Sequence, residues 1–183
     1  NTWKTHAAVA SSYPGVQWTI GHHPMYVVEQ GWNPKALDQM STWLDHPLLT
    51  LPFPSRPCGI GELGLDLRAL YKEAIELQTQ AFRDQWSLVR AYQLPVVLHV
   101  VRAHHLLFDL FKKDGGPPAG GIIHAFNGSL EQAQHYLKWG ITPSIGAQIL
   151  NPKARKLRKT LSHLELNQWV IETDSPDQPP LYL

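Results

Sequence analysis

Short runs of apolar and β-branched residues recur along this chain, and most are followed by a stretch with three-to-four hydrophobic spacing. The runs fall at 16–20, 58–61, 95–98, 121–123, 141–145 and 169–171, each short and Val- or Ile-rich enough for a buried strand. Leu70, Ala74, Leu77, Ala81, Leu88 and Tyr92 predict an amphipathic helix over about 70–93. Ser129 with Gln132 forms a capping-box pattern ahead of Leu130, Ala133 and Leu137, and Gly140 supplies the stop. Asn151-Pro152 reads as an N-cap with proline in the first helical position, ahead of Leu157 and Leu161. Pro- and Gly-rich patches at 51–57 and 115–121 read as loops. Six strands alternating with helices predict an α/β fold with a parallel sheet, either open and doubly wound or closed into a barrel.

The residues that follow the runs favour the barrel. Glu62 follows Gly59-Ile60-Gly61, His99 follows Val96-Val97-Leu98, His124 follows Gly121-Ile122-Ile123, and Asp174 follows Val170-Ile171-Glu172-Thr173. Alone, a strand-end histidine is usually an ordinary polar contact and a strand-end carboxylate a loop cap. Four ligand-type side chains at the same end of successive strands are better explained by one site. In a parallel barrel these ends converge over a single mouth, whereas an open sheet spreads them along a crevice. Histidine nitrogens with carboxylate oxygens suit zinc, manganese, iron or nickel readily, and magnesium less directly.

Composition narrows the picture further. The 183 residues are 43% hydrophobic and 17% charged, which fits one domain with a sizeable core. Apolar runs such as 94–101 fall far short of the roughly 20 residues of a membrane span, and no signal-peptide pattern opens the sequence. The single cysteine, Cys58, reads as a small strand residue and fits a reducing, cytoplasmic setting. A net charge of +1 gives no global field for collecting nucleic acid, so phosphate binding has to rest on local groups or metals.

At its strand ends the sequence resembles a known family, the TatD-type metal-dependent hydrolases. Gly61-Glu62-Leu63-Gly64-Leu65-Asp66 looks like the family's signature with its metal-bridging glutamate. Pro95-Val96-Val97-Leu98-His99 and Ile123-His124-Ala125-Phe126-Asn127-Gly128-Ser129 resemble its two histidine motifs, and Glu172-Thr173-Asp174-Ser175-Pro176 its terminal aspartate motif. Gly21-His22-His23-Pro24-Met25-Tyr26-Val27 is a fifth match, and the pattern is nearest to the YjjV-like branch. The resemblance implies a TIM-type (β/α) barrel and a DNase or related phosphoesterase acting on DNA or a small phosphoester. It also implies a two-metal site for zinc, manganese or magnesium. Glu62 would bridge both metals, His99 and His124 would hold one, and Asp174 would ligate the other and take the proton of the attacking water. His23 would lie near the phosphate. Two metals about 3.5–4 Å apart lower the water's pKa and neutralise the charge that builds on the phosphate.

Several features depart from the family's pattern. No His-x-His pair precedes His23, and His6 reads as part of a helix. The expectation is therefore a single domain over 1–183, lacking the first two strands and the last helix of the barrel, monomeric, with one metal held by Glu62, His99 and His124. Val100 and Val101 stand where the family usually carries a serine and an arginine. A hydrolase of the wider amidohydrolase type, cutting C–N or C–O bonds, uses the same ligand set, and a non-catalytic fragment is the third reading. The cluster Lys153, Arg155, Lys156, Arg158 and Lys159 reads as a solvated helix face, with Lys153 in reach of a nucleic-acid backbone if its turn faces the mouth. His104, His105 and His135 read as surface residues, and the seven tryptophans as packing.

Overall fold

The structure, a computed structural model, describes residues 2–45 and 56–175. Asn1, most of the expected loop at 51–57 and Pro176 lie outside the described residues. The elements are α1 (Thr2–Ser12), β1 (Thr19–Ile20), α2 (Pro24–Gln30), α3 (Lys35–Leu44), β2 (Gly59–Asp66), α4 (Ile75–Tyr92) and β3 (Val96–Val101). They continue with α5 (His104–Asp114), β4 (Gly121–Ile123), α6 (Leu130–Lys138), β5 (Ile141–Ile145), α7 (Arg155–Leu161) and β6 (Val170–Ile171). All six strands pair in parallel and in chain order, β1 to β6. This order, with helices between the strands, is the α/β arrangement of a TIM-type barrel; among the described residues β1 and β6 form the two edges.

The six apolar runs each give rise to a strand, and in β1 to β5 their side chains fill a covered sheet, whereas Val170 and Ile171 of β6 are exposed. Ile20, Ile60, Leu63, Leu65, Leu98, Ile123 and Ile141 are fully buried. Phe82 and Trp86 of α4 stack with ring centroids 5.1 Å apart, and Trp86 stacks on Phe111 of α5 at the same separation. The Ser129–Gln132 capping box forms as expected, and Gly140 takes φ 70 after α6, a left-handed backbone that costs glycine little. Among the described residues no helix is long and apolar enough to cross a membrane.

Three local expectations are corrected. β2 and β3 run on to Asp66 and Val101, so Glu62 and His99 lie inside their strands rather than after them. The ladder continues because Gly64 pairs with His99, Leu65 with Val100 and Asp66 with Val101, beyond a register shift between Ile60 and Leu63 that places one extra residue in β2 at Glu62. Asn151-Pro152 does not cap α7. Asn151 Oδ1 instead accepts the Lys153 N–H at 2.9 Å, and the α-helix begins at Arg155. Arg158 is not simply a solvated charge, since its guanidinium donates to the carbonyls of Ile149, Asn151 and Pro152 and ties down the turn before α7.

Gly64 shows how tightly β2 and β3 approach. A Cβ there would lie 1.8 Å from the His99 carbonyl oxygen and 2.7 Å from its carbon. Gly64→Ala has to push the strands apart, and a loss of about 3 kcal/mol in urea unfolding is expected; an unfolding midpoint equal to the parent's would contradict this.

Candidate metal centre

The parallel sheet places the C-terminal ends of its strands at one end of the molecule, and the candidate side chains gather there in two groups. In the first, His23 Nε2 lies 3.0 Å from His99 Nδ1 and 3.6 Å from Glu62 Oε1, and His99 Nδ1 lies 2.9 Å from the same Glu62 oxygen. His23 is set by its place as N-cap of α2, where its Nδ1 accepts the Met25 N–H at 3.2 Å and Pro24 opens the helix. In the second group, His124 Nδ1 lies 3.0 Å from Glu172 Oε2 and His124 Nε2 lies 3.3 Å from Asp174 Oδ1. Glu62 and His124 feel each other's charge across the two groups.

All five expected site residues therefore lie at the same end of the sheet, but their grouping differs from the expected set of Glu62, His99 and His124. The histidine packed against Glu62 and His99 is His23, and the atoms of these three lie within 4.8 Å of one another. His124 is drawn instead to Glu172 and Asp174.

The electrostatics follow from this packing. Burial pushes the Glu62 carboxyl up, but hydrogen bonds from His23 and His99 and the charges of His99 and His124 reverse that and hold it well below the usual range. The hydrogen bond to Glu172 lifts His124 to about 9 against the opposing effect of burial, with help from the charges of Glu62, Glu172 and Asp174. Burial likewise raises Asp66 and Glu172, and both end lowered: Asp66 through Arg68 and His99, Glu172 through His124 and Ser144. Two imidazoles and a carboxylate with donor atoms within 4.8 Å of one another form a set that suits a divalent cation. The residues present thus fit a metal centre.

Backbone strain marks the same end. Arg102, Ala125 and Asp174 take φ of 58, 45 and 59, just beyond β3, β4 and β6. Left-handed backbone at a non-glycine residue costs on the order of 1–3 kcal/mol and gathers where a site over-determines the chain.

Sequence reasoning gave no role to two carboxylates that the structure places at the centre. Asp66, fully buried, lies 3.1 Å from His99 Nε2 and is paired with Arg68. Glu172 contacts His124 and accepts from the Ser144 hydroxyl and the Ala125 N–H. Asp66 closes the Gly61–Asp66 signature and Glu172 stands two residues before Asp174, so a second carboxylate close to each candidate ligand was the available signal.

Among the other histidines, His105 is exposed as expected, whereas His135 stacks on Phe108 at 4.1 Å. His104 is corrected most clearly: its Nδ1 lies 2.9 Å from the Tyr136 hydroxyl and its ring packs against Phe126 and Tyr136. Burial lowers His104 to about 4, with Lys156 and His105 adding repulsion. The fold thus favours neutral His104, and the stability this gives is fully present above the unfolded value near 6.5 and is lost as pH falls toward 4. With the ring's partial exposure allowed for, the loss is about 2 kcal/mol. His104→Gln is expected to flatten the pH dependence of the urea midpoint between pH 6.5 and 4; an unchanged slope would contradict it.

Comparison with known proteins agrees with this architecture. A family model described as TatD related DNase matches residues 1–182. YjjV, an uncharacterized metal-dependent hydrolase of Escherichia coli (strain K12), is 31% identical over 172 residues, which are 94% of this chain and 62% of that protein. A 3'-5' ssDNA/RNA exonuclease TatD of Pectobacterium parmentieri (strain WPP163) is 27% identical over 180 residues, 96% of this chain and 65% of that protein. The crystal structure of the Escherichia coli YjjV TatD homologue superposes with a TM-score of 0.83 at 31% identity, covering 96% of this chain and 64% of that one. The chain spans a little under two thirds of the length of these relatives. With a family match over nearly every residue and a shared fold, the chain belongs to the TatD-related DNase family.

Proposed function

We propose that this chain carries the centre of a metal-dependent hydrolase that cleaves phosphodiester bonds in single-stranded nucleic acid or a related phosphoester. The observation that carries this is the convergence of His23, Glu62 and His99 beside His124 and Asp174 at one end of a parallel sheet. Support comes also from relatives named as ssDNA/RNA exonucleases.

Glu62, His99, His124 and Asp174 would hold divalent ions, zinc, manganese or magnesium, which when bound neutralise phosphate charge and make water a stronger acid. The side chains do the rest. His23, half-buried beside Glu62, would complete the donor set around one ion with its Nε2, next to where a phosphate oxygen would bind. Asp174 accepts a proton from the attacking water as the new P–O bond forms and the bond to the leaving oxygen breaks, and the leaving oxygen is then protonated from solvent.

The test is hydrolysis by the metal-loaded protein of bis-p-nitrophenyl phosphate and of end-labelled single-stranded DNA, set against lactone and amide substrates. Metal-dependent release of nitrophenol or nucleotides is the expected result. Turnover of lactones or amides with none of the phosphodiesters would assign the centre to C–O or C–N bond hydrolysis and overturn the proposal.

A further inference from the structure

A cavity of about 390 Å³ adjoins the candidate centre. Its lining includes His23 and Glu62 of the centre and, beyond them, Trp3, His22, Tyr26 and Gln39. We propose that this cavity is a subsite for one nucleobase of the substrate strand, which rests on aromatic rings while the adjoining phosphate lies at His23 and Glu62. The proposal rests on the phosphodiester reading above and assigns where the substrate is gripped away from the reacting group.

His22 and His23 are consecutive at the end of β1, yet their rings have different neighbours. His23 meets His99 and Glu62. The His22 ring is walled by three others, with centroids 4.9 Å away at Trp3, 5.4 Å at Trp32 and 5.5 Å at Tyr26. Trp3 and Trp32 meet it edge to face, at 74° and 78°, and Tyr26 lies tilted by 33°. Its Nε2 is buried with no hydrogen-bond partner among the described residues, and ring contacts hold the side chain. Consecutive residues lie about 3.8 Å apart at Cα, so a base beside His22 and a phosphate beside His23 are within the span of one nucleotide.

The floor of this subsite is anchored from below. Gln85 of α4, 1% exposed, accepts the His22 N–H at 2.7 Å and donates to the His22 carbonyl at 3.2 Å. Trp32 is fixed by its indole N–H, which donates to Asp84 Oδ2 at 2.7 Å. Toward the cavity the rings are less covered: Tyr26 is 51% exposed and Trp3 is partly so. A flat heteroaromatic base covers such surface and keeps its own polar edge free. Gln39, exposed on α3, brings to the same cavity an amide that both donates and accepts. Stacking is tolerant of sequence, and one amide can meet the edge of any base, so the subsite orients a base and selects weakly among them. The volume is that of a pocket for one small molecule, which limits it to a single nucleotide.

The experiment is calorimetric titration of chelator-treated and of zinc-loaded protein with dAMP and with deoxyribose 5-phosphate, which carries a phosphate and no base. In both states dAMP is expected to bind on the order of tenfold to a hundredfold more tightly. Tyr26→Ala and Trp3→Leu, checked for folding by circular dichroism, should each shrink that gap at least about threefold and leave deoxyribose 5-phosphate unaffected. Tyr26 is exposed, so its loss spares the core. Equal binding of the two ligands, no measurable binding of dAMP, or a gap untouched by Tyr26→Ala overturns the subsite. Phosphodiester turnover with no such gap leaves the proposed function standing and removes the subsite. A gap that Tyr26→Ala closes, in a protein that turns over no phosphodiester, keeps the subsite and removes the hydrolytic reading.

Discussion

Glu62→Ala is expected to abolish phosphodiester turnover and to weaken zinc or manganese binding by at least about a hundredfold. Glu62 is the carboxylate that His23 and His99 share, and despite its burial those contacts keep it ionised. Without it, two imidazole nitrogens 3.0 Å apart face each other with no anion to balance a divalent charge. The strand itself should survive, because Glu62 occupies the extra position in β2 while Leu63 and Leu65 keep their buried places. Calorimetric titration of the chelator-treated variant, with circular dichroism as a check of folding, reads this directly. A folded Glu62→Ala protein that binds metal as the parent does would contradict the role given to Glu62.

Asp174→Asn should behave differently, with most of the metal retained and the rate cut by a factor on the order of 10² to 10⁴. The aspartate lies at the edge of the centre, 3.3 Å from His124 Nε2, with its side chain 28% exposed and therefore open to water. Asparagine keeps its shape and tolerates the left-handed φ of 59 nearly as well, so the substitution removes charge and basicity rather than the backbone that places them. Single-turnover kinetics on a nitrophenyl diester, at metal concentrations that saturate both proteins, separate rate from occupancy. An Asp174→Asn protein as fast as the parent would remove Asp174 as the proton acceptor.

The strands were legible as short apolar, β-branched runs, buried in β2 to β5 although β6 is exposed, and parallel strands bring their C-terminal ends together. For the same reason Glu62, His99, His124 and Asp174 could be expected at one end of the sheet before any coordinates, and they lie there. Their positions within the strands could not. β2 and β3 continue past Glu62 and His99 because backbone pairing does not stop at a polar side chain that has somewhere to point. The grouping of His23 with Glu62 and His99 was also hidden, since it depends on how α2 is aimed by the His23 cap. Asp66 and Glu172 were invisible as holders of histidines, because a carboxylate on a buried strand end reads the same whether it faces a metal, a ring or an arginine. His104 was misplaced for a comparable reason: helical spacing at 104–111 does not reveal that the first residue of α5 tucks under Tyr136 and Phe126. Asn151-Pro152 failed as a cap because the side chain bonded two residues ahead within a turn, an alternative these residues share with true caps.

The central claim, that these side chains form a divalent-metal centre, is tested most directly by titrating chelator-treated protein with zinc and repeating the titration on His99→Ala. At least about one tight equivalent per chain is predicted for the parent, with affinity falling tenfold or more in the variant. Zinc binding that is absent in the folded parent, or equally tight without His99, would contradict it.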